Sequence, residues 1–165
     1  MEQSDSSWQK NYKLLERLMG ALESANEENL QSFHSAIEKA RVVESKAVQY
    51  LTQVTGKIST WKNQISNLRY QLKLKRKEIL LSEAYQYHQK SENRKDYIEV
   101  QTADIELQAI EAQAKLDRLL LFREAILKVI SAAKNSRSDI SKKLKVVEIQ
   151  YNINEIEGGA HHAGF

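Results

Sequence analysis

Apolar residues in this chain recur at alternating steps of three and four. From Leu30 the series runs through Phe33, Ile37, Ala40, Ala47, Leu51, Val54, Ile58, Trp61, Ile65, Leu68 and Leu72, with Glu44 as its polar member. Twelve of thirteen positions are therefore apolar over six heptads, beyond the three or four that mark a coiled-coil seam. A second series begins at Ile105 and continues through Ala109, Ala112, Leu116, Leu119, Ile126, Ile130, Ala133, Ile140, Leu144, Val147 and Tyr151, interrupted at Arg123 and Arg137. A shorter one holds Trp8, Tyr12, Leu15, Met19 and Leu22. It loses phase over Ala25–Asn29, where Asn26 followed by Glu27 and Glu28 suits an N-cap with acids in the first turn. The spacing predicts a short helix over 7–24 and long helices over 27–90 and 96–155. Gly56 lies off the seam, and its cost of about 1 kcal/mol relative to Ala does not end the helix.

The polar stretch Gln89–Lys95 separates the two long registers and is the expected reversal point, with Ser91 or Asn93 as the cap of the helix that follows. A reversal there makes an antiparallel pair. The expected fold is all-α: a long antiparallel helical hairpin, a coiled coil, with a short N-terminal helix. Residues 1–157 form one domain, and 158–165 are expected to be a flexible tail. If the turn is centred between Lys90 and Ser91, facing residues have numbers that total 181. Glu44 then faces Arg137, both polar breaks in apolar seams, and Trp61 faces Leu120. The first of these is expected to act as a register pair; the alternative is two solvated interruptions whose stems cover the seam.

Composition narrows the function classes. The 165 residues include no Cys, no Pro and 5 Gly, which excludes disulfide scaffolds, Cys-ligated metals and Cys nucleophiles. Gly20 and Gly56 stand alone among helix formers, so no Gly-rich phosphate loop is present. His34, His88, His161 and His162 lack ligand-like spacing to carboxylates, and no Glu-x-x-His pair occurs. No nucleophile is paired with a base. A non-enzyme with no cofactor, no metal and no small-molecule substrate is expected. No apolar run reaches 18 residues, and the polar start is unlike a signal peptide, so a soluble cytoplasmic chain is expected, with no transmembrane segment.

A hairpin touching only through its seam buries a narrow stripe. Yet Leu74, Leu80, Leu81, Ile110, Leu120, Leu121, Phe122, Leu127 and Val129 lie outside it, and Leu119–Phe122 covers every side of one turn. Trp61, Leu119, Leu120, Leu121, Phe122 and Ile126 are the expected core and oligomer residues, and a homo-oligomer or an obligate protein partner is the expected state.

Charge is blocked. Residues 61–95 sum to +6, 96–124 to −4 and 125–145 to +5 within a net charge of +3. Lys62, Arg69, Lys73 and Arg76 fall at steps of seven, four and three, one basic stripe thickened by Lys75 and Lys77. Tyr70, Tyr85, Tyr87 and His88 lie nearby. A cationic track with aromatic platforms is how proteins hold single-stranded nucleic acid without reading sequence. Lys128, Lys134, Arg137, Lys142, Lys143 and Lys145 form a second block. The same residues equally suit a solvated face, partners for the acidic segment Asp96–Glu124, or an anionic lipid surface.

The order of features from Leu72 onward also follows a known pattern. It comprises Leu72-Lys73-Leu74-Lys75-Arg76-Lys77, then Tyr85 and Tyr87, then Ala103-Asp104-Ile105, then Leu119–Phe122, then Ala133–Arg137 with Ile140 and Lys142. Over about residues 65–145 the chain resembles the UvsY-type recombination mediators of tailed phages, though without that family's glycine after the tyrosines. The resemblance implies a small, basic, all-helical, ring-forming protein that binds single-stranded DNA and helps load a recombinase, with Lys73–Lys77 as its DNA-binding basic helix. Two functions are therefore expected from this sequence. The first is a non-catalytic, oligomerising scaffold, adaptor or chaperone-like partner. The alternative is a single-stranded DNA-binding recombination mediator.

Overall fold

The computed structural model describes residues 10, 13–21, 30–88 and 90–160, with side chains described through Ile153. The described residues are helical apart from a few at the turn, and none lies in a strand. Helix α1 covers residues 13–21, α2 Leu30–Leu81, α3 Glu83–Tyr87 and α4 Ser91–Ala160. Helices α2 and α4 pack against one another as an antiparallel hairpin, and α1 is the short N-terminal helix. Trp8, Tyr12, Leu22, the break at Ala25–Asn29, Gln89 and residues 161–165 of the expected tail lie outside the described residues. The chain divides into two compact units, residues 52–123 and the two flanking segments 1–51 and 124–165.

In the unit formed by the flanking segments, the seam residues Phe33, Ala40 and Ala47 of α2 are buried, as are Ile126, Ile130, Ala133, Ile140 and Leu144 of α4. Phe33, Ala36, Ile140 and Leu144 form one cluster, with Leu30, Ile37 and Val147 packed on it. Ala36 and Val43 are buried although they lie off the seam. Ala36 is covered within the cluster of Phe33, Ile140 and Leu144; at Val43 the reason is α1, whose Leu18 and Ala21 line a groove together with Val42 and Val43 of α2, and whose Leu15 and Leu18 are themselves buried. A helix with neighbours on two sides needs an apolar stripe wider than a two-helix seam. Tyr151 departs from the expected register. It is 59% exposed, so the buried stripe ends at Val147, which is half-buried.

In the unit of residues 52–123, Val54, Ile58, Ile65, Leu68 and Ile79 of α2 and Ala112, Leu116 and Leu119 of α4 are buried. Where the second series was interrupted, Phe122 is buried and Arg123 is exposed, so the neighbouring position supplies the missing apolar side chain. Extending that series toward the N-terminus leads to Thr102, which is fully buried. Its hydroxyl lies 2.9 Å from the Ile98 carbonyl and 3.0 Å from Glu106 Oε1. One hydroxyl proton serves these two acceptors, and bonding back to the preceding turn is the usual way a helix buries a threonine.

The turn departs from expectation. Helix α2 stops at Leu81 rather than near Lys90, and the polar residues Ser91–Lys95 already belong to α4. Ser82 ends α2: its backbone is extended, its hydroxyl donates to the Ile79 carbonyl at 2.7 Å, and the same oxygen accepts from the Tyr85 N–H at 3.2 Å. It thus closes one helix and caps the next, with Glu83 in the first turn of α3. Asn93 lies inside α4 and is not its cap. Across the turn the Arg94 Nε–H donates to the His88 carbonyl at 2.7 Å.

Candidate functional site: a basic face and an exposed apolar face

Heptad spacing places Lys62, Arg69, Lys73 and Arg76 of α2 along one side of the seam, within the 52–123 unit. Lys62, Arg69, Lys73 and Lys77 are exposed, and among the described residues they form no ion pair. Arg76 is taken up: its Nη2 lies 2.9 Å from Glu106 Oε1, on the same carboxylate that accepts from Thr102. That contact is one instance of the acidic segment neutralising the basic stripe. Lys75 is half-buried and sits 3.5 Å from Glu78 one turn on. Tyr70 is 61% exposed beside these cations and Tyr87 is 90% exposed. The other two aromatic candidates belong to the turn. Tyr85 carries Arg94 over its ring at 5.4 Å, and His88 packs on Tyr97 with ring centroids 5.0 Å apart.

The second basic block lies in the unit of the flanking segments and is differently disposed. Arg137 Nη1 sits 2.8 Å from Glu44 Oε2, and Lys134 Nζ lies 3.9 Å from Glu44 Oε1. Glu44 keeps only 18% of its side chain exposed, against 38% for Arg137. The Arg137–Glu44 approach is a charge contact and not an aligned hydrogen bond, because Oε2 is buried and accepts none. Lys142 pairs with Asp139 at 3.4 Å, Lys143 makes contacts of its own, and Lys145 is exposed. Cations already held by carboxylates have little charge to offer a phosphate chain. Lys134 and Arg137 are held in this way, whereas Lys62, Arg69, Lys73 and Lys77 of α2 are not.

The expected core and oligomer residues separate into three groups. Leu119, Phe122 and Ile126 are buried; Trp61 and Leu120 are half-buried; Leu121 is 68% exposed. Trp61, expected opposite Leu120, has Lys115 Nζ over its ring at 4.9 Å, an arrangement worth about 0.5–1 kcal/mol at an exposed site.

Leu121 is one end of a second apolar stripe. On α4, Val100, Ala103, Leu107, Ile110, Ala114 and Leu121 follow steps of three and four, with Asp117 as the break, and all are exposed or nearly so. Val100 is 72%, Leu107 57% and Ile110 67% exposed. This is a second heptad stripe, three heptads long, on the side of α4 away from α2. Its signal was present in the sequence, but it runs in parallel with the stronger seam at Ile105–Leu119 and was masked by it. Among the described residues no group of three His, Asp or Glu side chains is placed to hold a metal ion, and no helix is long and apolar enough to cross a membrane. His161 and His162 lie outside the described residues. Comparison with family models, with curated proteins and with solved structures finds no significant match to this chain.

Proposed function

We propose that this protein is a non-catalytic helical hairpin that self-associates and serves as a scaffold, adaptor or chaperone-like partner, working as a soluble chain in the cytoplasm. The observation that supports this is the second apolar stripe of α4. The hairpin seam is already satisfied between α2 and α4, and Val100, Leu107, Ile110 and Leu121 each keep more than half of their surface exposed in one copy. Contiguous exposed apolar residues with heptad spacing are the signature of a helix that expects another helix. Light scattering coupled to gel filtration tests it. A mass at least twice that of one chain is expected at micromolar concentration, and a monomer across the accessible range would remove the proposal.

A second function is favoured by a different observation, the four unpaired cations Lys62, Arg69, Lys73 and Lys77 with Tyr70 beside them. They span about 15 residues of α2, some 22 Å at about 1.5 Å per residue, enough to follow several nucleotides of backbone. On this proposal the chain is a single-stranded nucleic-acid-binding mediator of the UvsY type that loads a recombinase. Anisotropy of a labelled oligonucleotide should fall steeply with added salt, and Lys73→Glu with Lys77→Glu should weaken binding further. No binding at low salt would remove it.

A further inference from the structure

We infer that a second copy of this chain docks antiparallel along the exposed stripe Val100–Leu121 of α4, with its centre at Ala112; this rests on the self-association proposed above and names its face and orientation. The charges that flank the stripe decide the direction. Asp104, Glu111 and Arg118 follow one edge at steps of seven, and Glu99, Glu106 and Gln113 follow the other. In a parallel pair the two edges of opposite copies meet. Glu99 would face Asp104 and Glu106 would face Glu111, on both sides; the two Glu99–Asp104 contacts repel in full, and the two at Glu106 are eased by its Arg76 partner at 2.9 Å. In an antiparallel pair each edge meets its own kind. About a centre at Ala112 the stripe layers have numbers that total 224, and the edge pairs beside them total 222, two residues off: Asp104 meets Arg118 of the second copy twice, and Glu111 meets its own counterpart once. Arg118 carries five N–H donors and can serve an added acceptor.

The same centre sorts the apolar side chains by size. Leu121 falls against Ala103, and Ile110 against Ala114, so that each large residue meets a small one, which lets two helices interdigitate. Leu107 falls against Asp117, whose carboxylate is held to one side by the Gln113 amide at 2.9 Å. Three heptads are about the shortest length that sustains a coiled-coil contact. The charge pattern and the pairing of large with small residues make the stripe complementary to itself, which is the argument for a second copy as its occupant.

The chain contains no cysteine, so single-cysteine variants can be spin-labelled without background. Glu111→Cys and Gln101→Cys both replace exposed residues beside the stripe. In the antiparallel pair, residue 111 lies next to its counterpart, while the two copies of residue 101 lie about 33 Å apart along the helix, from 22 residues at about 1.5 Å each. The expected result is a short interspin distance at 111, a long one at 101, and a shift to monomer mass in Leu107→Asp with Ile110→Asp at unchanged helix content. Short distances at both sites would mean a parallel pair and overturn the inference. An oligomer with no short distance at 111 would overturn it while leaving self-association intact. A monomeric wild type would overturn both. A monomer that pairs this stripe only with a different protein would do the same.

Discussion

The Glu44–Arg137 contact gives the sharpest quantitative prediction. Two unit charges about 4 Å apart interact by about 4 kcal/mol at an effective dielectric constant near 20. Exposed pairs measure about 0.2–1 kcal/mol, whereas breaking a buried pair costs about 3–5 kcal/mol. Glu44 is largely buried, Arg137 is more than a third exposed, and the 2.8 Å approach is not an aligned hydrogen bond. The pair therefore belongs between those limits. Arg137→Ala is expected to cost about 1–2 kcal/mol, since Lys134 remains at 3.9 Å to hold part of the charge. Arg137→Glu places two carboxylates at one partly buried site and should cost about 2–3 kcal/mol; Glu44→Arg sets three cations together and should cost about the same. The exchanged pair, Glu44→Arg with Arg137→Glu, restores the attraction, less a few tenths of a kcal/mol for the repulsion that Lys134 now exerts. Urea unfolding followed by circular dichroism at 222 nm gives each value, and the double-mutant cycle gives the coupling. A double variant no more stable than the sum of its two singles would refute the claim that this pair sets the register.

Other substitutions test other parts of the account. An added Cβ at Gly56 meets nothing within 4 Å, so Gly56→Ala should stabilise the chain by about 1 kcal/mol and raise its melting temperature. Ile126→Ala, at a fully buried seam position, should cost about 2–5 kcal/mol in denaturant unfolding. Leu121→Ala, 68% exposed, should leave the stability of one copy within about 0.5 kcal/mol of wild type. Thr102→Val removes a buried hydroxyl, but Glu106 keeps its contact with Arg76 at 2.9 Å. It should change stability by less than about 1 kcal/mol, and a loss above about 2 kcal/mol would mean that the Arg76–Glu106–Thr102 network holds the helices together.

What the sequence revealed and what it hid follow one physical division. Burial at a seam leaves a periodic trace, so the hairpin, its direction and the opposition of Glu44 and Arg137 are readable from apolar spacing and two polar breaks. A helix end decided by a single hydroxyl leaves almost none. Ser82 looks like any polar residue until its bonds to Ile79 and Tyr85 are seen, and so α2 was expected to run on to Lys90. Burial of Val43 depends on where α1 lies, which spacing within α2 alone does not specify. The basic stripe was legible as residues, but its state was not. Only contacts between helices distinguish Arg76, held by Glu106, from its open neighbours Lys73 and Lys77.

The central claim is that α2 and α4 of one chain lie antiparallel, side by side. Lys134 Nζ and Glu44 Oε1, separated by 3.9 Å, offer a natural zero-length link. Carbodiimide treatment of an equal mixture of light and nitrogen-15-labelled protein, followed by mass spectrometry, should yield a peptide pair joining residues 44 and 134 in light–light and heavy–heavy form only. Mixed-isotope pairs, or no 44–134 link when other carboxylate–lysine links form, would contradict it.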